Sequence, residues 1–554
     1  MASRGARVSS APAANPITPF LRRYPPELIA TALFALAWAV MRAATQSITI
    51  DEADSYLLWV DRPGQLWAQV SNNHILNSLL MRLSTSLFGL SEITVRLPAL
   101  IGAALYVAAA LYLTSLIASN RVLRWALFVC LAYNPFVFDF FVAARGYSMA
   151  AALLVWALTI PAAALTEKLE GAERPLLRAC IASSLCAALS FAANFAFAFA
   201  DGAVLLAVFV WIAYRLALIR RPAHLPLIGL YTRLLLALIV PGLLAAALLC
   251  GPVLYGYPKT QLFFGARSLH ETLTSLVGPT LYELNPHLFG AWLYRALASR
   301  RHILLPSLGA VLLCQLVLLW RDRSALRSAR PAWQLHLAAV AAGSACLALS
   351  LHWALFRMYG LLLPRDRTGM YLVVLTTIAI GAIAAVPTPS RAGRICHRAL
   401  KCMLLLMAVY FLLCLRLTHF REWRYGSEAN QAYSVVADYS RRLGISDVPA
   451  YWFYAGSLNF YRQASGNRSI GEFISVGARK AYPEGKRAYV LYYPEDRAFI
   501  EKNRLSIVFH GRLSDVVVAL RPGPGVPDAP AGPLPISDPL FLARYRRALE
   551  EMEH

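Results

Sequence analysis

Long apolar blocks alternate with shorter polar stretches along most of this chain. Eleven apolar runs lie at about 28–41, 93–118, 123–140, 146–166, 176–199, 202–219, 231–254, 303–320, 335–355, 369–387 and 400–418. A helix of roughly 20 residues crosses about 30 Å of hydrocarbon. The runs therefore predict an all-α polytopic membrane bundle of about eleven transmembrane helices. The first run follows Arg22 and Arg23 and leads into a polar loop, which predicts an uncleaved span. After residue 418 the pattern changes. "SEANQAYSVVADYSRRLG" has helical spacing, and "PAYWFY", "AYVLYY", "LSIVFH" and "DVVVAL" have the length and β-branched or aromatic content of short strands. Four segments result: a cytoplasmic N-terminal segment (1–27), a transmembrane domain (28–420), a small α/β domain (425–520), and a Pro-rich linker with a short terminal helix (521–554).

Composition agrees with the pattern. Of the 554 residues 58% are apolar and only 15% are charged, against about 25% charged in a soluble domain. Such a chain cannot cover its own surface in water, and it is too apolar to be disordered. Lys and Arg outnumber Asp and Glu by 53 to 30. Cytoplasmic loops that hold membrane topology collect basic residues, so this excess needs no nucleic-acid partner. With the N-terminus inside, the loops assigned inside carry Arg121 and Arg124, then Lys168, Arg174 and Arg178, then Arg215, Arg220, Arg221 and Arg233. Arg321, Arg323, Arg327 and Arg330 follow, and finally Arg391, Arg394, Arg398 and Lys401. An odd number of spans places residues 419–554 outside. The nine cysteines lie in or beside apolar runs with no CxxC spacing, so they read as small core residues and not as a disulfide framework.

The first outer loop, "TIDEADSYLLWVDRPGQLWAQVSNNHILNSLLMRL", carries the densest candidate chemistry. Asp51 and Glu52 follow the first span directly. A carboxylate at the membrane surface, partly desolvated, suits a general base or a metal ligand. The same residues also suit an acidic turn that caps a helix. His74 with Asn72, Asn73 and Asn77 can contact a hydroxylated substrate or a metal, or can simply cap the next helix. Glu92 and Arg96 are spaced for an i,i+4 ion pair. Arg145, followed by Tyr147, begins a span. An arginine there needs a partner, either a lipid phosphate or Asp139. Arg365, Asp366 and Arg367 lie in an outer loop, against the positive-inside trend. A phosphate ligand, or snorkelling to headgroups, would account for them. Lys259, Arg357, His270, Glu271, Glu283 and His287 are weaker candidates.

The acidic pair after span one, the polar His loop, "LFGLSEITVRLPALIGA", "YNPFVFDFFVAARGYSMAAAL" and "LLPRDRTGMYLVVL" together resemble the class C membrane glycosyltransferases that use polyprenyl-phosphate sugars. Within that class they are most similar to the bacterial group of lipid A aminoarabinose transferases, rhizobial galacturonosyl transferases and protein O-mannosyltransferases. The resemblance covers about residues 28–420 and is strongest from 48 to 160. Two departures stand out. "NNHILN" replaces a His-Pro-Pro pattern, and Ala143 stands where relatives carry a glutamate, with Asp139 one helical turn earlier.

The resemblance implies the class C fold and an inverting transfer. A sugar moves from a polyprenyl-phosphate donor to a glycan, lipid or protein acceptor on the periplasmic face of a bacterial inner membrane. The C-terminal domain lies on that same side. Asp51 would be the catalytic carboxylate with Glu52 beside it. His74, Asn73, Asp139, Arg145, Tyr147, Arg365 and Arg367 would bind substrate. The residues establish no cofactor, and a divalent ion near Asp51 is compatible with them. The competing readings are a lipid-linked glycan transporter or flippase, and a glycan ligase or polymerase of related fold.

Overall fold

The computed structural model describes residues 23–62, 64–70, 72–166, 173–219, 227–256, 258, 264–285, 292, 296, 301–322, 333–527, 534–537, 542, 543, 545 and 546. Among these, ten helices are long and apolar enough to cross a membrane, and the chain is a multi-pass membrane protein. The helices begin with α1 Pro26–Thr45, α2 Ile50–Asp54, α3 Ile75–Phe88, α4 Glu92–Ile117, α5 Arg121–Ala132, α6 Pro135–Phe140, α7 Tyr147–Thr166 and α8 Glu173–Ala193. They continue as α9 Ala198–Ile219, α10 Leu227–Leu254, α11 Leu269–Thr280, α12 Arg301–Arg321, α13 Trp333–Tyr359, α14 Met370–Ala384 and α15 Arg391–Leu413.

The apolar run at 123–140 is where the structure departs from eleven continuous spans. It folds as two pieces, α5 with 12 residues and α6 with 6. Pro135 has no N–H to continue the helical ladder. Asn134 caps the new helix instead, its side chain accepting from the Phe136 N–H at 3.0 Å. The break leaves α6 as a separate short helix that packs against α5, α7 and α11.

Helix α7 packs between α4 and α8, α8 against α10, α9 against α13, and α13 against α14. Small residues line these contacts: Ala150, Ala151 and Ala157 on α7 are fully buried. Small side chains let membrane helices approach closely, which is how packing replaces the hydrophobic drive that lipid does not supply.

The chain after α15 forms a mixed sheet flanked by helices. Helix α16 spans Ala429–Leu443, and β1 Pro449–Tyr451 leads into α17 Trp452–Ala464. Then come β2 Ile474–Val476, β3 Ala488–Tyr492, α18 Tyr493–Lys502, β4 Ser506–His510 and β5 Val516–Leu520. The strand order is β2-β1-β3-β5-β4, with β1 parallel to its two neighbours and β5 antiparallel to both of its own. All residues of β3 and β5 are buried, so their unbroken apolar runs fit central strands. The terminal helix expected at 538–553 falls mostly outside the described residues.

This domain is bound to the loop that follows α1. Tyr461 accepts the Ile48 N–H at 2.8 Å, Ser47 donates to the Ser427 carbonyl at 2.8 Å, and α17 packs on α2. The first loop is therefore held between the bundle and the sheet domain.

Candidate functional site

Thr49 and Glu52 start α2 as a capping box. The Thr49 hydroxyl accepts from the Glu52 N–H at 3.2 Å, and the Glu52 carboxylate accepts from the Thr49 N–H at 2.9 Å. The helix then widens into a π turn, Ser55–Val60, a form that recurs at functional sites. Adjacent helical positions face different directions, and this separates the two acids.

Glu52 turns inward and is fully buried. Arg96 reaches it with a two-pronged contact, Nε at 2.9 Å and Nη2 at 2.8 Å, and the Ala144 N–H donates at 2.9 Å. Burial opposes the charge on Glu52, but the Arg96 fork and the backbone donors outweigh it and hold the carboxyl below its ordinary range. The remaining Arg96 N–H groups go to the carbonyls of Ala43, Gln46 and Ser47 at 2.6 to 3.0 Å. The expected pairing of Arg96 with Glu92 is thus replaced by one with Glu52, because Arg96 points under the first loop. Every acceptor position of Glu52 faces a donor, so it closes the loop and is not free for chemistry beside Asp51.

Asp51 faces two guanidiniums. Its Oδ2 lies 3.3 Å from Arg367 Nη2 and 3.7 Å from Arg145 Nε. That oxygen is buried without a hydrogen-bond partner, as is Arg145 Nε. The pairing is close enough for attraction and too poorly aligned to satisfy either group.

Arg145 is held at its other end. It donates to Ser55 Oγ at 2.7 Å, to the Asp51 carbonyl at 3.3 Å, and to Asn72. The chain can turn just after it because residue 146 is glycine. Its φ is +73°, and a Cβ there would run into the Ala193 carbonyl.

Arg367 pairs with Glu422 and lies over the rings of Phe264 at 5.0 Å and Trp423 at 5.8 Å. Arg365 does not join it. The 3-10 turn Asp366–Gly369 sends the neighbouring side chains in different directions, and Arg365 meets Glu271 at 3.1 Å on the exposed rim. The expected pair of Arg145 with Asp139 is not formed either. Asp139 faces α1, bonded to Arg42 at 2.7 Å and to the Arg421 N–H at 2.8 Å.

His74 occupies the N-cap position of α3 but makes no side-chain cap bond. Its Nε2 lies 3.5 Å from Asn194 and its ring meets that of Tyr147, 6.0 Å between centroids. Burial first, then the charges of Arg145 and Arg367, hold it well below the usual histidine range. It is therefore neutral, with Nδ1 buried and unpaired. Asn73 braces the loop, donating to the carbonyls of Leu66 and Ala68 and accepting from Ser78. Tyr147 sits among the rings of Phe140, Phe197 and His74. Lys259 and His287 lie outside the described residues.

Arg145 and Arg367 face Asp51, and the Asp54 and Glu422 carboxylates lie near enough to feel its charge. Among the described residues no three His, Cys, Asp or Glu side chains gather as metal ligands.

Three contributors escaped the sequence reading. Glu422 follows the last span in "FREWRYG", a stretch with no motif. Ser55 gave no signal beyond its place one helical turn after Asp51. Asp54 looked like part of a solvated turn.

Burial, then the neighbouring Asp51 charge, push Asp54 up to about 6 from 3.8, against a lowering pull from Arg145. The folded form thus holds a proton that the unfolded chain releases earlier. That contribution to stability is complete below pH 3.8 and lost as pH rises through about 6. Asp54→Asn is expected to flatten the fall in thermal midpoint between about pH 4 and 7, and to gain about 1–3 kcal/mol at neutral pH. An unchanged pH slope in the variant would contradict this assignment.

No family model matches the chain, and no curated protein matches it. Among solved structures it is similar to ArnT from Cupriavidus metallidurans in the apo state, at 14% identity and a TM-score of 0.49, covering 92% of this chain and 98% of that one. It is also similar to ArnT from the same organism bound to undecaprenyl phosphate, at 14% identity and a TM-score of 0.48, covering 92% and 99%. A third is the arabinosyltransferase EmbB from Mycobacterium smegmatis, at 14% identity and a TM-score of 0.36, covering 83% and 44%.

Proposed function

We propose that the chain is an inverting glycosyltransferase that takes a sugar from a polyprenyl-phosphate donor. The observation that carries this reading is Asp51 facing Arg145 and Arg367 at 3.7 and 3.3 Å without a hydrogen bond to either. A carboxylate and two guanidiniums at the outer end of a helical bundle are what such a transfer needs. One group accepts a proton and two receive a phosphate.

Arginine matches phosphate with parallel, charge-assisted hydrogen bonds. A donor phosphate entering from the lipid would draw Arg145 and Arg367 away from Asp51. Loading the donor would then release the carboxylate for its own task. Asp51 takes the proton from the acceptor hydroxyl as the hydroxyl oxygen attacks the anomeric carbon. The bond from that carbon to the phosphate oxygen breaks on the opposite face, inverting the centre. The arginines stabilise the charge that develops on the leaving phosphate. A lipid phosphate leaves as an anion, so no second carboxylic acid is needed to protonate it, unlike in most glycoside hydrolysis. Glu52 acts as a positioning residue, because its bond to the Ala144 N–H fixes the residue before Arg145. Neutral His74 and Tyr147 lie close enough to both arginines to feel their charge.

The same reading puts the site and the sheet domain on the periplasmic face. A reporter enzyme fused after residue 430 should be active only there, and cytoplasmic activity would reverse the orientation.

Mass spectrometry of the envelope tests the reaction. A deletion strain should accumulate one polyprenyl-phosphate sugar and lack one sugar on an envelope product. Complementation with Arg145→Ala or Arg367→Ala should restore about a tenth to a hundredth of the product, since a charge-assisted bond is worth about 1.5–3 kcal/mol. Full restoration by both variants would remove phosphate binding from these arginines. An unchanged envelope in the deletion strain would remove the transferase reading.

A further inference from the structure

A cleft of about 720 Å³ opens between α2 with its π turn and the sheet domain. That volume lies within the roughly 300–1,000 Å³ typical of small-ligand sites. Ile50 and Asp54 of α2 line it, and Asp54 stands three residues beyond Asp51 on that short helix. A helix rises 1.5 Å per residue, so the cleft wall passes within one turn of the proposed base. Helix α17 crosses here at Gly456, where a Cβ would stand 2.8 Å from the Asp54 carboxylate. Only glycine admits that approach without displacing the acid.

The walls come from both halves of the protein, and their chemistry is mixed. Asp61 and Glu472 offer carboxylate acceptors, Gln463 and Arg462 offer donors, and Trp452 offers an aromatic face. Arg462 Nε is buried without a hydrogen-bond partner. The Trp452 ring is fixed by its indole N–H, which donates to Tyr545 Oη at 3.0 Å. Asn459 ties α17 to the strand region, donating to the Phe473 carbonyl at 3.1 Å and accepting its N–H at 2.9 Å. The cleft is therefore braced before any ligand arrives.

We infer that this cleft binds the acceptor as a hydroxyl-rich saccharide, an inference that rests on the glycosyltransferase reading above. Carboxylates accept hydroxyl protons, guanidinium and amide groups donate to hydroxyl oxygens, and an indole face covers the C–H side of a pyranose ring. An acyl chain would leave these polar groups unpaired. The position sets the order along the path: saccharide in the cleft, its reacting hydroxyl at Asp51, and the donor phosphate on the two arginines. The sheet domain then selects the acceptor.

Saturation-transfer NMR on the full chain in lipid nanodiscs tests this with three probes: maltotriose, chitotriose and the fully deacetylated chitosan trimer. At least one should bind, and Trp452→Ala and Glu472→Gln should each weaken that binding tenfold or more. Glu472 is exposed, so its variant keeps the fold and reports on binding alone. Binding that is undiminished in both variants, or no binding of any probe to the wild type, overturns the inference. Binding of undecaprenyl phosphate to the wild type is measured alongside. Its absence, with saccharide binding at the cleft intact, counts against the donor reading and still supports a saccharide cleft.

Discussion

Asp51→Asn is expected to abolish sugar transfer while leaving the protein folded. Loss of a general base is worth roughly a hundred- to ten-thousandfold in rate. Asn keeps the size of Asp and most of its hydrogen bonding, but it cannot take the proton of an attacking hydroxyl. The fold should lose less than it does on breaking the Glu52–Arg96 pair, because Arg145 and Arg367 keep their other hydrogen-bond and ion-pair partners. Thr49 and Glu52, not Asp51, form the capping box of α2. Asp51 lies in the first turn, where a negative charge gains about 0.3–1 kcal/mol from the helix dipole. Its Oδ2 holds no hydrogen bond that Asn would break. The checks are transfer of labelled sugar by purified protein and its thermal midpoint in the same preparation. Near-normal turnover by a well-folded variant would end the assignment of Asp51 as base.

How much of this was legible before the structure depends on the range of the forces involved. Hydrophobic spans are local, so ten of the eleven apolar runs could be read as long helices directly from the chain. The break at Asn134–Pro135 was visible as two residues, but its consequence, a separate short helix, depends on packing. Four of the five strands of the C-terminal domain were visible for the same local reason, while β2, three residues long, was not, and the end of "PAYWFY" starts α17 instead of extending β1.

Ion-pair partners were not legible. Arg96 pairs with Glu52, 44 residues away, although Glu92 stands at ideal helical spacing. Arg145 meets Asp51 and not the nearby Asp139, which goes to Arg42. Desolvated charges choose partners by the cavity they share, and that cavity is made by helices distant in sequence. Arg365 and Arg367 gave the same signal in sequence, and one tight turn separates them in space. Glu422 had no motif to announce it, and only the fold brings it to Arg367.

Glu52 is the sharpest case, since the sequence joins it to Asp51 as a catalytic pair and the structure gives it a different partner. Breaking the buried Glu52–Arg96 pair from either side is expected to destabilise the protein by about 3–5 kcal/mol, because the remaining charge stays buried and uncompensated. Glu52→Gln is not conservative here. The carboxylate faces only donors: the Arg96 fork and the N–H groups of Thr49 and Ala144. A glutamine would turn its own NH₂ group against some of them.

Arg96→Met should be worse than Glu52→Gln. It leaves an unpaired acid and also strips donors from the carbonyls of Ala43, Gln46 and Ser47. The double variant should lose less than the sum of the two single changes, since their shared interaction can be lost only once. Thermal midpoints of detergent-solubilised protein read these differences directly. Transfer should fall in proportion to the folded fraction, with a further loss where Ala144 no longer holds Arg145 in place. A Glu52→Gln protein with a wild-type midpoint and no transfer would reverse the assignment. It would place Glu52 at the reacting atoms after all, and the buried pair with Arg96 would then describe only the resting state.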